Sequence, residues 1–71
     1  MKLSMLKRGE KGMVIELDTG NDSILRKLMS MGIMPGAEVE VIQAYPCYVI
    51  QAGYTQVSID NEIASAIIID V

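Results

Sequence analysis

The chain has 71 residues, a net charge of −3 and no histidine, which bounds it to one small domain without the commonest acid–base group of neutral-pH catalysis. Hydrophobic residues make up 51%, yet Phe and Trp are missing and Tyr numbers three, so the core is expected to be built from Ile, Val, Leu and Met. The acidic balance argues against a nucleic-acid partner, and no apolar run approaches the ~18 residues that a membrane-spanning helix needs.

From the start of the chain, Leu3-Ser4-Met5-Leu6 is a short apolar opening without the long apolar stretch of a secretory signal. Lys7-Arg8-Gly9-Glu10-Lys11-Gly12 reads as a polar turn punctuated by two glycines. A first strand is expected over Gly12–Leu17, with Met13, Ile15 and Leu17 sharing a face. Asp18–Asp22 is a loop that delivers a helix. In Ile24–Gly36, ILRKLMSMGIMPG, the apolar residues Ile24, Leu25, Leu28 and Met31 recur at helical spacing, and Arg26, Lys27 and Ser30 fall opposite. Asn21, Asp22 and Ser23 offer N-cap oxygens, Gly32 can take positive φ past the helix end, and Pro35-Gly36 sets a tight turn.

Beyond that corner, Ala37–Ile42 alternates clearly, with Val39 and Val41 inward and Glu38 and Glu40 toward water. Pro46 ends this strand or marks its edge. Tyr48–Ala52 and Thr55–Ile59 form a hairpin around Gly53-Tyr54, with Thr55, Val57 and Ile59 on one face. Asp60 caps a single helical turn through Asn61–Ala64, and Ala66–Val71 closes the chain with Ile67, Ile69 and Val71 on one face. Five short strands with one helix inserted after the first long strand point to a mostly β, small antiparallel barrel of the SH3-like kind over residues 1–71. An OB-type barrel is the alternative, disfavoured because its helix falls later in the chain.

Little here suggests catalysis. Cys47 lacks a His or Lys neighbour and reads as a small half-buried hydrophobe; as the sole cysteine it cannot form an intramolecular disulfide, which suits a reducing compartment such as the cytoplasm. Gly9-Glu10-Lys11-Gly12 lacks the Lys-Ser/Thr ending of a phosphate loop and is a plain turn. Arg8, Arg26 and Lys27 could face a partner's nucleotide phosphates, but solvated surface charge explains them. Asp18, Asn21 and Asp22 form the nearest oxygen cluster, which helix capping accounts for. Among metal readings, Met29, Met31 and Met34 would supply thioethers suited to Cu(I), against which stands their ordinary use as core or contact residues. No catalytic residue, cofactor or histidine-based metal site is expected.

The order Leu3-x-x-Leu6-x-x-Gly9-x-x-Gly12, then Leu25-Arg26-Lys27-Leu28-x-x-Met31-Gly32-Ile33-x-Pro35-Gly36-x-x-Val39-x-Val41, resembles the FeoA-like family of small ferrous-iron transport accessory proteins. Gly53, Ile59, Asp60, Glu62, Ile63-Ala64 and Ile67-x-Ile69 are similar to the family's ending. The resemblance implies an SH3-like barrel and a non-enzymatic cytoplasmic helper of ferrous iron uptake. It implies as partner the membrane-embedded ferrous iron permease with its cytosolic GTP-binding domain, which would hold the protein at the inner face of the membrane without insertion. The connection Tyr45-Pro46-Cys47-Tyr48 is shorter and more apolar than the Gly-rich loop that family members often carry.

A barrel this small cannot hide every apolar side chain, and those left over mark interaction sites. Met29 and Met34 at the helix corner, with Arg26 beside them and Tyr45, Tyr48 and Tyr54 around the hairpins, are the expected partner-binding residues. The other reading of a small SH3-like barrel is a module for extended peptides, although the absence of Trp weakens the usual aromatic groove.

Overall fold

Five antiparallel strands wrap one aliphatic core in a computed structural model that describes residues 1–71. A single 3₁₀ turn, Leu3–Met5, precedes β1 (Lys11–Leu17), α1 (Asp22–Ser30), β2 (Glu38–Gln43), β3 (Tyr48–Ala52), β4 (Thr55–Ile59), α2 (Asn61–Ala66) and β5 (Ile67–Asp70). The sheet order is β4-β3-β2-β1-β5, so the strand number and the place of the helix follow the expected barrel. Its edges, β4 and β5, are not hydrogen-bonded to each other. Instead α2 carries the chain from one to the other, lying against the Leu3–Met5 turn. The outer edge of β5 is covered by the start of the chain: Lys2 bridges Ile68, and Met1 and Ile69 exchange backbone hydrogen bonds of 3.0 and 2.7 Å. An edge masked in this way offers no template for stray strand pairing.

The helix is short and depends on its caps. Asn21 Oδ1 accepts the amides of Ser23 and Ile24 at 2.9 and 3.2 Å, and Asp22 places a negative charge in the first turn. At the other end the Gly32 amide donates to the Met29 carbonyl and the Ile33 amide to the Leu28 carbonyl, at 3.1 and 2.9 Å. This is a Schellman closure, which requires the positive φ of 84° that Gly32 supplies. It also brings Leu28 and Ile33 together, and both are buried.

Fourteen hydrophobic residues form the core, among them Leu3, Val14, Leu28, Ile33, Val39, Val41, Ile50, Ile67 and Ile69, with no buried polar side chain. Val39 and Val41 point inward as expected, and so do Ile59, Ile67 and Ile69. Val71, grouped with Ile67 and Ile69, is exposed. So is Thr55, at the start of the face it was to share with Ile59.

In β1 the expected face is reversed. Gly12 and Val14 point inward, whereas Met13 and Ile15 are exposed and Leu17 is half-buried against the core. Met13 follows Lys11 outward at the start of the strand, and a register shift then falls between Val14 and Glu16, where β1 carries one residue more than β5 opposite. Such a bulge breaks the two-residue period, so Leu17 no longer shares the side of Met13 and Ile15.

Candidate functional site

The turn past α1, the start of β2 and the β3–β4 hairpin lie at one end of the sheet. Gly32, Ala37, Glu38, Val39, Glu40, Gln51, Ala52 and Gly53 line a hollow of about 510 Å³ there. Met29 and Met34, 43% and 38% exposed, lie within three residues of Gly32 in sequence, and the fully exposed Tyr54 follows Gly53. Gly36, with φ 96°, turns the chain from Met34 into β2, and its amide donates to the Val14 carbonyl at 2.7 Å, fixing the corner against β1. Gly53, with φ 62°, turns the hairpin. Backbone geometry on both sides therefore holds Met34 and Tyr54 out from the core.

The chemistry of this corner is that of a contact surface. The hollow is lined by two carboxylates, Glu38 and Glu40, and by the Gln51 amide, which donates to the Gly53 carbonyl at 3.1 Å. Arg26 is exposed on α1, its Nε 3.4 Å from the Asp22 carbonyl, and is free to reach outward. Met31 is half-buried against the core, so only Met29 and Met34 of the three helix-corner thioethers stand out from the surface. No group of three or more His, Cys, Asp or Glu side chains is placed to hold a metal ion. Cys47 is half-buried, its Sγ 3.4 Å from Ser58 Oγ.

Two of the expected contact residues lie elsewhere. Tyr45 is 87% exposed but belongs to the connection at the far end of β2 and β3, where Gln43 pairs with Val49, away from the Val39–Ala52 pairing beside the hollow. Tyr48, expected at the surface, is a core residue. Its ring is buried and its hydroxyl donates to the Ser4 carbonyl at 2.7 Å, tying β3 to the opening turn. Strand parity carries the signal for this: Gln51 marks the outward side of β3, which puts Tyr48, Ile50 and Ala52 inward together. Tyr48→Phe keeps the ring and leaves that carbonyl without its donor. It should cost about 1 kcal/mol of stability by urea unfolding, and an unchanged midpoint would show that water replaces the hydroxyl.

A further apolar feature appears on β1, where the reversed face leaves Met13 and Ile15 in solvent. Glu38 on β2 and Asp70 on β5 are the cross-strand neighbours of Met13.

Residues 1–71 match the family described as FeoA domain. The chain is similar to a protein of Leptolyngbya boryana named for Fe(2+) transport, at 35% identity over 66 residues, covering 92% of this chain and 80% of that one. Among solved structures, iron(II) transport protein A of Clostridium thermocellum matches with a TM-score of 0.89 at 30% identity, over 100% of this chain and 45% of that chain. FeoA of Stenotrophomonas maltophilia, solved with zinc and described as a prokaryotic SH3 domain protein, matches with a TM-score of 0.87 at 25% identity, over 99% and 89% of the two chains. The mostly β, five-stranded architecture is accordingly SH3-like.

Proposed function

The chain belongs to the FeoA domain family, and on that premise we propose that it serves ferrous iron transport by contact, docking the cytosolic GTP-binding domain of a membrane ferrous-iron permease through its helix corner. The observation that supports this reading is the exposure of Met29, Met34 and Tyr54, each within three residues in sequence of a residue that lines the hollow. Met and Tyr are enriched at interfaces, where a few anchors supply most of the affinity. Glu38 and Glu40 in the hollow suit a partner that presents a basic group beside its apolar one. No helix is long and apolar enough to cross a membrane, and in this reading the protein meets the membrane only through its partner, on the cytoplasmic side.

Titration of isotope-labelled protein with the GTP-binding domain of the same cell's permease tests the proposal. Amide shifts should cluster on Met29–Gly36 and Gly53–Tyr54. The double substitution Met29→Ser, Met34→Ser should weaken binding by about tenfold or more and lower the urea midpoint only modestly, because both side chains are partly exposed and Ser is the poorer helix former at position 29. Unchanged affinity in a folded double variant would exclude the corner. Saturable shifts at Met29, Met31 and Met34 with Cu(I), and none with the protein partner, would favour the thioether-metal alternative instead.

A further inference from the structure

The opposite end of β2 and β3 holds a second, chemically different recess. Arg8, Ile42, Gln43, Ala44, Tyr45, Val49 and Gln56 line a groove of about 670 Å³ that runs from the first turn across β2 and β3 to β4. Its floor is apolar, formed by the half-buried Ile42, Ala44 and Val49. A register shift between Val41 and Gln43 makes Ile42 the extra residue of β2. Tyr45 stands at one side, its ring 87% exposed with nothing of this chain covering it.

Charge distinguishes this groove from the rest of the molecule. The protein has nine carboxylates against six basic groups, yet no carboxylate lines the groove. Two of the six basic residues, Lys7 and Arg8, fall in the turn before β1, and Arg8 lines the groove. That turn is fastened to β2 by the Gly9 amide on the Val41 carbonyl and the Val41 amide on the Glu10 carbonyl, at 2.7 and 2.9 Å. Glu10, the turn's one acid, accepts the Lys7 amide at 2.6 Å, so its carboxylate is engaged by the turn itself. Arg8 is thereby presented to the groove without an opposing charge from its lining.

We infer that this groove is a docking site for an extended acidic segment of another protein, in which a carboxylate pairs with Arg8 while an adjacent apolar side chain lies on Ile42 and Val49 against Tyr45. Arg and Tyr are the side chains that most often dominate such contacts; the amide nitrogens of Gln43 and Gln56 already donate to the Cys47 carbonyl and to Gln51 Oε1, at 3.4 and 3.2 Å, which fixes both side chains at the groove. An acidic segment is the occupant favoured because Arg8 is the only charged residue that lines the groove. The two linings share no residue, and they meet where Gln56 of the groove donates to Gln51 of the hollow at 3.2 Å.

The probe is a capped decapeptide in which aspartate and glutamate alternate with proline and leucine; its charge control carries asparagine and glutamine instead. With labelled full-length protein, the acidic peptide should give saturable shifts at Arg8, Ile42–Tyr45, Val49 and Gln56 and leave Met29–Gly36 unmoved. Arg8→Gln and Tyr45→Ala are surface substitutions, and each should weaken binding by about tenfold. Affinity should fall with added salt, and the neutral control should bind at least about fivefold more weakly, as a charge-assisted contact requires. No shifts, equal binding of the neutral peptide, or shifts confined to the helix corner would each overturn the inference. Shifts at these residues that depend on protein concentration alone would overturn it too, assigning the groove to self-association.

Discussion

Leu28→Ala is expected to lower unfolding free energy by about 3 kcal/mol. A domain of this length has roughly 5 kcal/mol, or a little more, to lose. Leu28 is 1% exposed, and the Schellman closure sets it beside Ile33, which is fully buried. Truncation would remove contacts on both sides and leave a void that neither β-strands nor α1 can collapse to fill. The helix makes this loss unusually damaging. Nine residues do not hold a helix in water alone, so α1 exists because Leu28, with Ile24 and Leu25 half-buried beside it, is anchored to the core. Urea unfolding should show a lower midpoint with unchanged slope, and the melting temperature should fall by roughly 12–24 °C. The neighbouring Met29→Ala, at an exposed position, provides the contrast. A loss at Leu28 no larger than at Met29 would mean that the helix is not packed as described.

Gly12→Val should destabilise the protein by about 1–3 kcal/mol for the opposite reason, too much matter rather than too little. Gly12 is buried in β1, and a Cβ there would meet Ile69 Cδ1 at 3.0 Å, the Asp70 carbonyl oxygen at 3.2 Å and Ile69 Cβ at 3.3 Å. Ile69 is itself fully buried, so it cannot swing aside without disturbing the core. Relief has to come from moving β5 away from β1, at the strand pair beside the Val14–Glu16 bulge. Chemical denaturation measures the loss, and hydrogen exchange should locate it in Met13–Leu17 and Ile67–Asp70. Gly20→Ala is the control: nothing lies within 4 Å of a Cβ at Gly20, and stability there should be little changed. A Gly12→Val protein as stable as Gly20→Ala would contradict the close approach of β1 and β5.

The parts of the fold legible in the sequence are those where several local signals agree. Asn21 as cap, helical spacing through Leu28 and Gly32 past the end all point to α1, and Gly53 marks the hairpin whose strands, Tyr48–Ala52 and Thr55–Ile59, appear with their expected bounds. Where signals conflict, the pattern misleads. Lys11 assigns Met13 and Ile15 to the outside of β1, whereas Glu16 assigns them to the inside. A bulge resolves that conflict, and periodicity alone does not report one. Tyr48 was hidden by its own chemistry, since tyrosine suits an interface as well as a wall of the core; strand parity turns it inward, and its hydroxyl then bonds the Ser4 carbonyl.

The candidate surfaces were legible as residue types but not as places. Gly32, past the end of α1, and Gly53, in a hairpin some twenty residues later, line one hollow, and Tyr45 is carried to the other end of β2 and β3 by their register. Arg8 joins Tyr45 through backbone bonds between the first turn and Val41, a pairing that no local pattern announces.

The backbone exchange between Met1 and Ile69, next to the Lys2–Ile68 bridge, has a mechanical consequence. Because the opening segment runs antiparallel to β5, whatever precedes Met1 and whatever follows Val71 leave the domain from the same spot. A pulling force applied between those two points would not shear the pair along its length. It would part the bonds one after another, like a zipper, so the domain yields easily to tension across its ends while remaining well packed against forces applied through its faces.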